Sequence, residues 1–116
     1  MVTDIASSEQ LEHYLAAHRG ALVYFTAPDC AVCGALEPRV QAMAGELFPA
    51  LALARVDCAQ APELAAQTGV FTIPTVIVYF EGQEAIRKAR NFSLIELRDA
   101  IDRPYRILGD AGGTRG

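Results

Sequence analysis

Apolar runs broken by glycine, proline and small polar residues divide the chain into alternating extended and helical segments. Val2 to Ile5 is a short candidate strand. Ser7 or Ser8 can cap a helix to about His18, with Leu11, Tyr14, Leu15 and His18 at helical spacing and Gly20 as its stop. Ala21 to Thr26 is apolar on both faces, the signature of a central strand covered on both sides. From Ala31 to about Phe48, Leu36, Val40, Met43, Ala44 and Leu47 form an apolar stripe, with Pro38 inside it. Leu51 to Val56 reads as a second buried strand, and Pro62 to Gln67 as a short helix closed by Gly69. Thr75 to Phe80 is the most β-branched run. Glu81-Gly82 turns it into a hairpin completed by Glu84 to Ala89, and Ser93 caps a last helix from Leu94 to about Asp102.

The resulting order, βαβαβαββα, predicts an α/β domain with a mixed central sheet between helical layers. At 116 residues and 52% hydrophobic content, one domain with a real core is expected over residues 1–103. Residues 104–116 read as a tail whose Gly-rich end is expected to be disordered. No apolar run approaches the length of a membrane span, and the first residues lack signal-peptide character, so a cytoplasmic location and no membrane association are expected. A net charge of −4 with scattered basic residues argues against nucleic acid and leaves proteins or small thiols as partners.

Candidate chemistry centres on Cys30-Ala31-Val32-Cys33, between the central strand and the long helix. A sulfur at a helix start meets unpaired N–H groups and the positive end of the helix dipole, and both favour thiolate. Cys30 is therefore the candidate nucleophile, and Cys33, one turn on, the candidate resolving thiol. Structural disulfides are rare in the cytoplasm, which favours a catalytic, sensing or metal-binding pair over a staple. Zinc would need further ligands. Cys58, His13 and His18 are the available ones, the histidines lie on the first helix, and no metal site is expected within one chain, though two chains could share a metal or cluster through four thiolates. Cys58 reads first as a packed small residue, with a thiol on the Cys30 side of the sheet, open to glutathionylation or pairing between chains, as the alternative, and Arg87, Lys88 and Arg90 read as a solvated strand edge.

These residues resemble the thioredoxin family over about Val2 to Ile101. An Ala-Pro step leads from the strand into Cys-x-x-Cys, Pro38 follows five residues after Cys33, Val56-Asp57 closes the third strand, and Ile73-Pro74-Thr75 precedes the next. The resemblance implies a thioredoxin-like fold and a thiol-disulfide oxidoreductase acting on protein or small-molecule disulfides. It implies a separate reductase as electron donor, a cis Pro74, and a substrate-binding ledge formed by Ile73 and Pro74. The alternative is a thioredoxin-like binding or redox-sensing module with little turnover.

The departures from the family pattern sit close to the cysteines. Asp29 stands where the family carries Trp, Ala31-Val32 replaces Gly-Pro, and Gly34 replaces a basic residue. Arg90 aligns with an expected glycine, and Tyr24 replaces the buried acid that assists the resolving thiol. Asp29 and Tyr24 are thus the residues expected to set the acidity of the pair. A carboxylate at Asp29 opposes the Cys30 thiolate, and Tyr24 leaves only water or a phenol to deprotonate Cys33.

Overall fold

The computed structural model describes residues 1–108 in full and the backbone of the last helix as far as Arg115. The elements follow the expected order: β1 (Val2–Asp4), α1 (Ser8–Ala17), β2 (Gly20–Thr26), α2 (Ala31–Leu47), β3 (Ala52–Asp57), α3 (Pro62–Thr68), β4 (Thr75–Phe80), β5 (Gln83–Ala89) and α4 (Leu94–Arg115). The sheet runs β1-β3-β2-β4-β5. Parallel pairing joins β1 to β3 and β3 to β2, and antiparallel pairing joins β2 to β4 and β4 to β5.

Every residue of β2 is buried, as its unbroken apolar run predicts. Alternation along the strands splits the core in two. Val23, Phe25, Val56 and Ile77 pack with Leu11 of α1 and Leu64 of α3 on one face. Leu22, Tyr24, Val76 and Val78 pack with Val40 of α2 and Leu97 and Ile101 of α4 on the other. Each large side chain so buried contributes about 1.5–3 kcal/mol. The sheet therefore holds α2, and with it the cysteines, by one whole face.

Local chemistry sets the helix ends. The Ser7 hydroxyl accepts from the Gln10 N–H, and Ser93 and Glu96 form a reciprocal capping box. Gly69 closes α3 with a left-handed φ of 76° that suits glycine.

The structure departs from the hydrophobic pattern at several places. Gly20 does not stop α1, which ends at Ala17; it opens β2, where an added Cβ would come within 2.9 Å of the Leu51 side chain. Leu47 is exposed rather than part of the α2 stripe. Arg87 is more than a solvated edge residue, because its guanidinium donates to the Thr68 and Gly69 carbonyls at the end of α3. Finally, α4 continues past Asp102 and through Pro104. Tyr105 holds the first turn of that extension: its hydroxyl accepts from the Ala50 N–H at 3.0 Å, and its ring stacks edge-on against Phe48. The backbone of the tail expected from residue 104 continues α4 as far as Arg115, and the side chains of residues 109–115 and all of Gly116 lie outside the described residues. Among the described residues, no helix is long and apolar enough to cross a membrane.

Candidate active site

Register brings three loops to one end of the sheet. Thr26, the last residue of β2, pairs with Asp57 at the end of parallel β3, and Phe25 pairs with Thr75 at the start of antiparallel β4. The cysteine loop after β2, the Asp57-Cys58 turn after β3 and Pro74 before β4 therefore share one rim.

At that rim Cys30 is the N-cap of α2, and its Sγ accepts from the Cys33 N–H at 3.1 Å. The cap is the cysteine itself and not Asp29, which is exposed. Cys30 and Cys33 are joined as a disulfide with Cα atoms 5.2 Å apart. Cys30 is half-buried and Cys33 fully buried, an asymmetry set by their places at the cap and inside the first turn. One sulfur of the pair faces solvent and the other faces the core.

The Ile73-Pro74 peptide is cis. Ile73 and Cys30 each pack against the same core cluster, and Pro74, just before Thr75, lies at the end of the sheet that carries the cysteine loop. The Pro74 carbonyl accepts from the Arg90 N–H at 2.7 Å, and Arg90 has a left-handed φ of 64°, a conformation that explains why a glycine suits this position. Val32 and Phe71 are exposed apolar residues, one between the cysteines and one in the segment before the cis peptide.

Tyr24 is 1% exposed, and its hydroxyl donates to the Cys33 carbonyl oxygen at 2.8 Å. Burial, with the nearby Glu37 charge, pushes its phenol up to about 12. It is a neutral donor at pH 7 and not a proton acceptor for Cys33.

Glu37 is the feature that the apolar stripe of α2 hides. It lies one helical turn after Cys33, with a side chain only 12% exposed. Its Oε2 accepts from Gln41 and from Arg55 of β3, both at 2.8 Å, and Arg55 also donates to Asp4 of β1 at 2.9 Å. Hydrogen bonding to Asp4 in particular pushes the Arg55 guanidinium further up, so it is a fixed positive charge. A cavity of about 560 Å³ opens beside the pair, lined by Thr26, Pro28, Cys30, Glu37, Arg55 and Asp57. The sequence signal for Glu37 was its spacing of four from Cys33, which places both side chains on one helix face.

Cys58 is half-buried, its N–H donates to the Thr26 carbonyl, and burial together with Asp57 pushes its thiol up, away from ready ionisation. His13 on α1 and His18, which follows its last residue, are both exposed. Among the described residues, no three His, Cys, Asp or Glu side chains gather as a metal site would require.

The thioredoxin family model matches residues 2–103. The thioredoxin-like protein YdfQ of Bacillus subtilis is 27% identical over 106 residues, spanning 91% of this chain and 94% of its own. The structure of Fasciola hepatica thioredoxin superposes with a TM-score of 0.78 at 31% identity, covering 87% of this chain and 97% of that one. A protein disulfide-isomerase of Gallus gallus is 38% identical over 84 residues, 70% of this chain but only 16% of that longer protein. With its mixed five-stranded sheet, its helices on both faces and its cysteine pair at the start of α2, the chain belongs to the thioredoxin family.

Proposed function

We propose that the chain is a thiol-disulfide oxidoreductase that reduces or exchanges disulfides of protein or small-molecule substrates in the cytoplasm, recharged by a separate reductase. The observation that carries this reading is the division of the pair into a half-exposed capping sulfur and a buried partner one turn away. In the reduced protein, the Cys30 thiolate attacks a substrate disulfide, one substrate sulfur leaves as a thiolate, and a mixed disulfide forms on Cys30. The Cys33 sulfur, once deprotonated, attacks Cys30 Sγ, closes the Cys30–Cys33 disulfide and releases the second substrate thiolate. Two electrons pass to the substrate, and a reductase returns them. The ledge of Ile73 and Pro74 would hold an extended substrate beside Cys30, and Asp29 would temper the Cys30 thiolate. A second reading, a binding or redox-sensing module with little turnover, draws on the exposed Val32 and Phe71.

Turnover of a disulfide-bonded protein with dithiothreitol as reductant separates the two. We expect Cys30→Ser to abolish the rate, Cys33→Ser to accumulate mixed disulfides on Cys30, and Cys58→Ser to stay within about twofold of the parent. Equal residual turnover in the two active-site variants would rule the mechanism out.

A further inference from the structure

We propose that Glu37 is the proton acceptor for Cys33, taking over on α2 the role for which Tyr24 leaves no acid on β2; this rests on the exchange reaction proposed above. Side chains four apart on a helix stand about 5–6 Å from each other at Cβ, within reach directly or through one water. Glu37 and Cys33 are such a pair, and Glu37 lines the same cavity as Cys30, so solvent can carry its proton away. Tyr24, bonded to the Cys33 carbonyl, also feels the Glu37 charge, which places the carboxylate near this turn. Both hydrogen bonds to Glu37 fall on Oε2, and Oε1 carries none among the described residues.

The other ionisable groups facing this site are less suited. Asp57 on β3 accepts from the Ala59 and Gln60 N–H groups with its Oδ1, and Asp4 on β1 is mostly exposed and bonded to Arg55. Asp29 is exposed in the loop before Cys30, Tyr24 on β2 is a neutral donor, and Arg55 on β3 is a cation that anchors Glu37. Glu37 alone combines burial, an anchored oxygen and the helix face of Cys33.

In the step proposed, the Cys33 thiol gives its proton to the Glu37 carboxylate as its sulfur attacks Cys30 Sγ. The mixed disulfide breaks, and the substrate thiolate or cavity water takes the proton from the Glu37 carboxylic acid. Electrons move only between sulfurs, and Glu37 returns to its starting state.

The test uses reduced protein in a Cys58→Ser background and a bis(nitrobenzoate) disulfide whose released thiolate absorbs visible light. High salt screens the effect of a lost charge on encounter. Attack by Cys30 releases the first equivalent and resolution by Cys33 the second. Glu37→Gln keeps the shape and an acceptor for Arg55. We expect its first phase to stay within about twofold and its second to slow at least about tenfold at neutral pH, with the gap closing as pH approaches the ordinary thiol range near about 8.5. Glu37→Asp, which keeps the carboxylate, should fall between, and it carries the test if the glutamine variant does not fold. A second phase within twofold of the parent, or a slowed one with unchanged pH dependence, overturns the assignment of Glu37 while leaving the exchange reading intact. A parent protein that releases neither equivalent overturns both.

Discussion

Replacing Tyr24 with phenylalanine deletes one oxygen from a side chain that is 1% exposed and leaves the ring packed on its core face. The bond lost is the one to the Cys33 carbonyl, which keeps its own helical partner, so no buried acceptor is orphaned and the cost near neutral pH is about 1 kcal/mol. Alkaline pH acts in the opposite sense. The folded phenol ionises at about 12, whereas an unfolded tyrosine ionises near about 10. Between those values the unfolded chain has shed a proton that the folded one retains, so stability is full below the lower value and is lost as pH rises towards the higher. By about pH 11 the loss reaches roughly 1.4 kcal/mol, and the phenylalanine variant escapes it. Tyr24→Phe should therefore begin about 1 kcal/mol less stable at about pH 8 and draw level near about pH 11. Urea unfolding of both oxidised proteins across that range reads the difference. The Tyr14 and Tyr79 phenols, also pushed up by burial, are common to both proteins and cancel. Two stability curves that run parallel throughout would refute the reasoning, since the phenol would then ionise alike in both states.

Asp29→Asn should raise the rate of Cys30 alkylation at neutral pH about twofold, because removing an adjacent exposed charge favours the thiolate while lowering its nucleophilicity, and added salt should shrink the gain; a salt-independent change would point to a rearranged loop. Arg87→Ala should cost about 1 kcal/mol in urea unfolding, since the Thr68 and Gly69 carbonyls lose their donor. The same arginine holds the Glu84 carboxyl below its usual range, chiefly by hydrogen bonding, so stability from that pair is lost as pH falls through the carboxylate range and the variant should be the less acid-sensitive protein. Equal acid sensitivity in parent and variant would count against the pairing.

The pattern of apolar residues was most informative where burial is symmetric or the local chemistry is strong. Thr75–Phe80 is bounded by a proline and a Glu-Gly turn, and its limits coincide with the observed strand. The cysteine pair was legible because a loop between a buried strand and a long helix has little choice about where it puts its sulfurs. What escaped depends on partners distant in sequence. Glu37 reads as a polar position of an amphipathic helix, and only Arg55, arriving from β3, turns it inward. Arg87 reads as an edge cation until α3 places its last carbonyls within reach. Gly20 looks like a helix stop because its real constraint is the side chain of Leu51, brought there by pairing. Pro104 argues for an end to α4, and the contacts of Tyr105 with Ala50 and Phe48 outweigh that local preference.

Because the sulfur proposed to react is also the group that accepts the Cys33 N–H in the first turn of α2, the usual ways of silencing it are not equivalent. Serine is among the preferred residues for starting a helix and alanine among the poor ones. A hydroxyl in place of the Cys30 thiol subtracts the proposed nucleophile and leaves the turn anchored, whereas a methyl subtracts both and loosens the segment that carries Cys33. An inactive alanine variant would thus confound lost chemistry with lost architecture, and the serine form is the faithful blank against which every other change at this rim should be measured.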